Sequence, residues 1–573
     1  MTHAERATKY ARDVRAGRIP ACRLVKLACV RHLEDLKAQR RKAFPYRFDV
    51  AAANRVCEFV ELMPHVKGKW AARHERLRLE DWQCFMICVP FGWLQKADRK
   101  RRYRRVYVEV PRKNAKSTIT AALGNYMFAA DGEHGAEVYS GAGSEKQAWE
   151  VFGPARLMAK GTPDFTRAFG VDVNAKNMNI LAAASKFEPI IGKPGDGASP
   201  SFGIIDEYHE HPTEEQHDTI LTGMGAREQP MAWVITTAGA DTSGPCYALR
   251  AEVVNVLEGK VENDQLFGIV YGIDEGDDWT SPDVLRKANP NFGVSVFGDY
   301  LLAQQRDAIN EPRKQSTFKT KHLNVWVTAA APYFNAEKWN RLGDPSLSMD
   351  DFMGEGCWMG VDLASKIDLT ALVTVFTRTD DEGQRHYYAF LRAYLAEDRT
   401  KIPENRHLAE WAIKGCLVTT PDDVTDYGYI ESDIKAYAER FSLLQLGVDP
   451  YNAIYLITRM QNFLGPDCVV EVPQTVQNLS EPMKEVQAMI EAGRIHHDGN
   501  PLFAWAIGNV TAKEDRNANV FPRKERAASK IDPAIALIIA VGRAMNSEEQ
   551  VVPMVSLWSD RPPAPAPEDE DYQ

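Results

Sequence analysis

The chain of 573 residues carries 69 Lys and Arg against 79 Asp and Glu, a net charge of −10, with 44% hydrophobic and 26% charged residues. This is the composition of a globular protein too long for a single core. The longest uninterrupted apolar run, Ala534 to Val541, is far shorter than the ~20 residues that span a bilayer, and no apolar signal core follows the basic N-terminus, so neither a membrane nor a secreted protein is expected.

The nine cysteines are scattered, and Cys84 and Cys88 lack a second pair to complete a zinc site, so reduced cytosolic thiols are expected. Residues 1–75 read as a basic helical N-terminal region: Leu24, Leu27, Val30 and Leu33 recur at helical spacing, and the first fifty residues hold thirteen Lys and Arg against five Asp and Glu. A second basic run, Lys96 to Arg105, has seven basic residues in ten. Phosphate contacts respond to local charge, so such runs suit nucleic acid even in an acidic chain; a solvated helix face and a basic loop are the ordinary alternative.

Residues 76–330 alternate strand-like runs (Tyr103–Val110, Gly135–Ser140, Ser201–Asp206, Met231–Thr237) with helical stretches, which predicts an α/β domain with a largely parallel sheet. The first of these strands runs through Arg112, Lys113, Asn114, Ala115, Lys116, Ser117 and Thr118 into a helical stretch. A Lys beside Ser or Thr at a helix N-terminus is what a phosphate-binding loop requires. Backbone N–H groups cradle phosphate, Lys116 reaches the β- and γ-phosphates of ATP, and Ser117 holds Mg²⁺. Val110 and Ala115 stand where the usual glycines would be.

Downstream, the apolar strand Phe202–Ile205 ends in Asp206 and Glu207. The first carboxylate can coordinate Mg²⁺ through water and the second can orient the attacking water. Thr236 and Thr237 end the next strand, where a γ-phosphate sensor would sit, and Gln83 offers an amide to the adenine edge. Each has an ordinary alternative as a cap, a strand end or a surface amide. Four elements in this order on strand ends predict a P-loop ATPase.

The loop Pro-Arg-Lys-Asn-Ala-Lys-Ser, the Ile-Ile-Asp-Glu strand and Thr-Thr-Ala-Gly resemble the large terminase subunit of tailed bacteriophages, and Ala288–Val296 and Thr320–Trp326 resemble its HK97-like branch. The resemblance implies that Arg112 is a candidate cis-acting arginine finger. It also implies that Thr236, Thr237, Ala238 and Gly239 couple hydrolysis to DNA movement, and that missing loop glycines are usual for the family.

Residues 331–350, with Gly343-Asp-Pro-Ser, read as a linker, and residues 351–547 as a second domain opening with three strands in a meander. Asp362 interrupts an apolar strand, Asp449 ends another, and Asp532 begins an apolar helix. A carboxylate in such a strand is costly unless it binds metal or is fully hydrogen-bonded. Three acids so placed predict an RNase H-like nuclease with two Mg²⁺ or Mn²⁺ flanking the scissile phosphate. A helix cap at Asp532 and a turn at Asp449 are the alternatives, and Asp368 and Asp433 are reserve ligands. Adjacent strand residues face opposite ways, so His496 and His497, before Asp498, read as structural. Lys513, Arg523, Lys524, Arg526 and Lys530 suit phosphate contacts near the cut.

The resemblance extends over residues 55–547, leaving 548–573 as an acidic Pro-rich tail expected to be disordered. It implies ATP-driven packaging of double-stranded DNA into procapsids and endonucleolytic cutting of concatemers. The implied partners are a portal protein, a small terminase subunit and an HNH endonuclease, with the chain in a homo-oligomeric ring, a pentamer when docked. The implied location is the host cytoplasm and, transiently, the procapsid portal, with no membrane. The alternatives are a helicase-nuclease of DNA repair and a non-enzymatic virion or scaffold component.

Overall fold

The computed structural model describes residues 1–546 except 192–196, 243, 328, 330–331, 364–367, 403–404, 516 and 526–528, and leaves the side chains of 312, 313 and 406 aside. Arg526 and the tail therefore lie outside the described residues. Helices His3–Arg15, Arg23–Ala38 and Val50–Leu62 fold the N-terminal region around a ribbon of antiparallel strands β1 (Tyr46–Phe48) and β2 (Trp93–Gln95). Their apolar faces, through Ala7, Val25, Cys29 and Val60, enter the same core as the helix Asp81–Gly92 and the sheet residues Val106 and Val270. The helices of residues 1–75 thus share the core of the first sheet.

Much of the basic charge is spent at this seam. Arg102, with 2% of its side chain exposed, bridges Asp35 and Asp264 and lies over the ring of Tyr46. Arg101 pairs with Asp131, Arg6 with Asp81, and Arg23 with Glu258. A buried guanidinium needs such partners. These cations fasten helices to sheet.

The first sheet contains β3 (Arg105–Glu109), β4 (Glu137–Ala142), β5 (Asp172–Val173), β6 (Met178–Ile180), β7 (Ser185–Ile191), β8 (Phe202–Asp206), β9 (Met231–Thr236) and β10 (Leu266–Val270). Their spatial order is β10-β3-β9-β8-β4-β7-β6-β5, parallel from β10 to β7 and antiparallel beyond. Every residue of β8, β9 and β10 is buried, as expected of parallel strands covered on both faces. The chain leaves β3 through the helix Lys116–Ala129 and returns as β4, three places away. The C-terminal ends of β3, β9 and β8 therefore open onto one crevice, the usual ligand position in such sheets.

The second sheet contains β11 (Gly356–Asp362), β12 (Thr370–Thr379), β13 (Arg385–Ala396), β14 (Val418–Thr420), β15 (Ser442–Val448), β16 (Val469–Glu471) and β17 (Ile495–His497), ordered β14-β13-β12-β11-β15-β16 with β17 beside β13. β11, β12 and β13 form the antiparallel meander, and β15 runs parallel to β11. A ribbon of β18 (Val510–Glu514) and β19 (Val520–Lys524) follows. Within residues 331–350, Trp339 is fully buried and stacks on His497 at 4.3 Å, and His497 Nε2 bonds the Trp339 carbonyl at 2.8 Å. The segment is clamped to the second domain, and His497 is a packing residue.

The helix Asp532–Met545 lies directly across the second sheet. Gly360 of β11 and Gly447 of β15 are register partners, and both make room for it. A Cβ on Gly360 would fall 2.1 Å from the Ala536 carbonyl oxygen, and one on Gly447 would fall 2.6 Å from Ile539 Cγ2. The apolar run Ala534 to Val541 is accordingly a fully buried core helix. Among the described residues no helix is long and apolar enough to cross a membrane. Because this helix carries Asp532, Gly360→Ala should lift it from the sheet, costing about 1–3 kcal/mol, and reduce the metal-dependent DNA cleavage expected of the second domain while the ATP hydrolysis expected of the first persists. Thermal melting and plasmid linearisation measure both, and unchanged values would show that the helix does not rest on Gly360.

Candidate active sites

The crevice of the first sheet is a cleft of 570 Å³ lined by Arg112, Lys113, Ala115, Lys116, Ser117, Thr118, Asp206, Glu207 and Glu210, with Lys146, Gln147 and Glu150 across it. Lys113 and Ala115 adopt left-handed φ of 71° and 64°. Ala115 therefore bends the loop where a glycine would be easiest, and Lys116 starts the helix. Asn114 holds this shape from inside. Fully buried, its Nδ2 donates to the Pro111 carbonyl and to Asn289 Oδ1, both at 3.0 Å, while its Oδ1 accepts the Asn291 N–H at 3.0 Å. The Asn-Pro-Asn segment thus anchors the loop.

Lys116 Nζ donates to Glu207 Oε1 at 2.7 Å, and Ser117 Oγ is 3.5 Å from Asp206 Oδ2. Burial pushes the Asp206 carboxyl up to about 7, against the pull of Lys116. Burial also raises Glu207, but the charge and the hydrogen bond of Lys116 lead the pull that leaves its pKa lowered. Glu207 sits at a left-handed φ of 47°, a conformation that costs energy for a side chain and is found where function over-determines the backbone. Oxygen donors at Ser117 and Asp206 fit a hard cation such as Mg²⁺, and Lys116 at the helix start fits phosphate.

Other predicted residues lie off the cleft. Gln83 is buried, and its Oε1 accepts the Glu80 N–H at 2.9 Å within a helix cap. Thr236, Thr237, Ala238 and Gly239 are buried behind the cleft wall, where the Thr236 hydroxyl meets His209 and the Ala238 N–H is bonded to Asn324 Oδ1 at 2.7 Å. Arg112 exposes its side chain at the cleft, and its N–H bonds the Lys321 carbonyl at 3.0 Å. His209, Lys321 and Asn324 escaped the sequence reading, although the last two lie in the quoted Thr320–Trp326 segment.

In the second domain Asp362 ends β11 and Asp449 follows β15, both buried, while Asp532 opens the helix on the sheet. Burial raises the Asp362 pKa well above the usual range, with Asp532 and Asp449 adding like-charge repulsion. Burial and then Asp368 push Asp532 up to about 6, and burial raises Asp449. Gln474, a residue the sequence did not single out, donates Nε2 to Asp362 Oδ1 at 2.8 Å. Lys530 pairs with Asp368 at 2.6 Å, and the Lys524 charge reaches both Asp362 and Asp532. Asp433 belongs elsewhere, bonded to Tyr394 at 2.6 Å and Arg392 at 3.1 Å. Lys513, Arg523 and Lys524 project from the exposed β18–β19 ribbon.

Among the described residues no three such side chains close tightly enough to ring a cation. The acids share one corner without closing into a ring. Their all-oxygen chemistry and surplus negative charge nevertheless fit hard divalent ions.

Two family profiles match the chain: "Terminase large subunit, ATPase domain" over residues 81–254 and "Terminase large subunit, endonuclease domain" over residues 260–548. The second span includes β10, which is hydrogen-bonded within the first sheet. Protein YmfN of Escherichia coli (strain K12) is 46% identical over 369 residues, 62% of this chain and 80% of that protein. The large terminase subunit of Enterobacteria phage HK97 is 24% identical over 443 residues, 76% of this chain and 86% of that protein. The crystal structure of the HK97 bacteriophage large terminase aligns with 86% of this chain and 99% of its own at 22% identity and a TM-score of 0.42. The chain belongs to the terminase large subunit family and carries the family's ATPase domain followed by its endonuclease domain.

Proposed function

We propose that the protein uses ATP to drive double-stranded viral DNA into procapsids and cuts concatemeric DNA with its second domain. The observation that carries this reading is the pairing of two sites in one chain. Lys116, Ser117, Asp206 and Glu207 meet in the cleft of the first sheet, and Asp362, Asp449 and Asp532 share a corner of the second. The proposed motor runs to about residue 330 and the nuclease from about 351 to 547, with residues 331–350 between them.

In the motor, the loop N–H groups from Lys113 to Thr118 cradle the phosphates and Lys116 neutralises them. Bound Mg²⁺ supplies the positive charge that offsets phosphate charge as it develops, with Ser117 and Asp206 to hold it. Glu207, released from Lys116, orients the attacking water. Arg112, exposed at the cleft, is the candidate arginine finger, and Thr236 to Gly239 carry the outcome away from it. Gln83 is proposed as an adenine contact that would have to leave its cap.

In the nuclease, Asp362, Asp449 and Asp532 hold two Mg²⁺ or Mn²⁺, which supply the activation of water and the stabilisation of the leaving oxygen. Gln474 orients Asp362, while Lys524, Lys530 and the rest of the β18–β19 ribbon meet DNA phosphates. The proposed partners are the portal, a small terminase subunit and an HNH endonuclease around a pentameric ring, in the host cytoplasm and on the portal.

Lys116→Ala should reduce ATP hydrolysis at least 100-fold and spare metal-dependent cleavage, whereas Asp362→Asn should do the reverse. Phosphate release and plasmid linearisation on the same preparations check this, and a variant that loses both activities or neither would sink the two-site assignment.

Asp206 gives a second expectation. A carboxyl that keeps its proton up to about pH 7 when folded, but only to about 3.9 when unfolded, costs stability as pH rises between those values, and the cost is complete above the higher one. Nucleotide-free Asp206→Asn should therefore hydrolyse no ATP yet be more stable than the parent at pH 8 by on the order of 2–4 kcal/mol. Calorimetry from pH 8 to pH 5 should show the gap closing as pH falls. A gap independent of pH would refute the buried-carboxyl argument.

A further inference from the structure

His209 follows Glu207 on the short turn Tyr208–Glu210 and is 7% exposed. Gly239 admits it, since a Cβ there would stand 3.1 Å from His209 Cβ and 3.2 Å from its Cδ2. Its Nδ1 lies 3.0 Å from Thr236 Oγ1 and 3.3 Å from Glu207 Oε2, and its Nε2 lies 3.0 Å from Lys321 Nζ. An ammonium has donors only, so Nε2 must present its lone pair to Lys321. Burial lowers the His209 pKa, so the ring is neutral and its one proton sits on Nδ1. Glu210 Oε1, 3.5 Å from Nε2, then faces the Lys321 charge and not a ring N–H.

One donor thus faces two acceptors. In this geometry it serves Thr236 Oγ1, which also accepts the His209 backbone N–H at 3.1 Å and donates its own O–H to the Thr237 carbonyl at 2.9 Å. Glu207 Oε2 is buried without a hydrogen-bond partner, while Oε1 is held by Lys116 at 2.7 Å. A buried carboxylate that loses its cation must find a donor, and Nδ1–H is within reach.

We infer that His209 is a positioning residue that moves its single ring hydrogen bond from Thr236 to Glu207 when ATP draws Lys116 away. The inference rests on the proposal that Lys116 binds the ATP phosphates. Glu207 is then aligned for water only when the Thr236 hydroxyl is released. That hydroxyl ends β9, whose continuation is bonded through Ala238 to Asn324 and through the Gly239 carbonyl to the Val327 N–H at 3.2 Å, on the path to the second domain. Lys321 fixes which nitrogen carries the proton.

The test measures ATP turnover of the full chain with and without duplex DNA. His209→Ala should lower kcat at least 10-fold with KM within 2-fold. His209→Asn places an NH₂ at the Nδ1 position and can serve both acceptors at once, so it should recover at least a third of kcat but lose the stimulation by DNA. Lys321→Met should lower kcat at least 3-fold with KM unchanged, and it decides the matter if His209→Ala does not fold. Wild-type kcat in His209→Ala or Lys321→Met, an Asn variant no better than Ala, or an Asn variant with full DNA stimulation would each overturn the inference. Hydrolysis surviving in Lys116→Ala would instead overturn the nucleotide site on which it rests.

Discussion

Both halves of the molecule end their central strands in buried carboxylates, and the cost of that burial organises what surrounds them. Glu109 ends β3 fully buried and is answered from four sides: Tyr107 donates at 2.5 Å, Asn324 and Trp326 at 3.2 Å each, and Arg250 approaches to 3.4 Å. Asp206 ends β8 with less support, a backbone N–H at 2.8 Å and a distant Ser117 hydroxyl. Asp362 ends β11 with Gln474 and two further acids. The same position is solved structurally in the first case and left short of positive charge in the other two. A carboxylate kept short of partners in a close-packed interior is where a cation is worth most.

Such sites require strands and helices to approach without intervening side chains. The second domain does this by aligning Gly360 and Gly447 under one helix, which puts Asp532 beside two strand ends that are distant in sequence. The first does it with a loop that tolerates left-handed Ala115 because Asn114 ties it to the Asn289–Asn291 segment. Both arrangements convert backbone proximity into charge proximity.

The elements that carry chemistry were legible because chemistry leaves local marks. Lys116 beside Ser117 at a helix start, Asp206 at the end of an apolar strand and Asp362 inside another are each anomalous in their own short windows, and the strands around them read correctly from apolar runs. What escaped is relational. Gln474 is an ordinary amide until the chain beyond β16 brings it to Asp362 at the end of β11, and Lys321 is one lysine among many until the loop folds back on it. The charge of residues 1–50 and 96–105 is relational in the same way, because sequence shows that Arg102 is cationic but not that Asp35 and Asp264 enclose it. The net charge of −10 says less about nucleic acid than which cations remain exposed, such as Lys513, Arg523 and Lys524 on the ribbon beside the acids.

Residues 321–327 tie the phosphate loop to the end of β9. The Lys321 carbonyl accepts from the Arg112 N–H of the phosphate loop, Asn324 joins Glu109 and the Ala238 N–H, and the Val327 N–H bonds the Gly239 carbonyl. Asn324 adopts a left-handed φ of 58° to do so, and its buried amide also donates to the Tyr271 carbonyl at 2.5 Å. A segment bonded at once to the phosphate loop and to the end of β9 must register any change in their separation, because buried hydrogen bonds are costly to leave unmade. The same segment leads into Trp339 and its stack on His497. Asn324 and its neighbours, and not the acids of either site, are thus the residues that tie the phosphate loop to the end of β9.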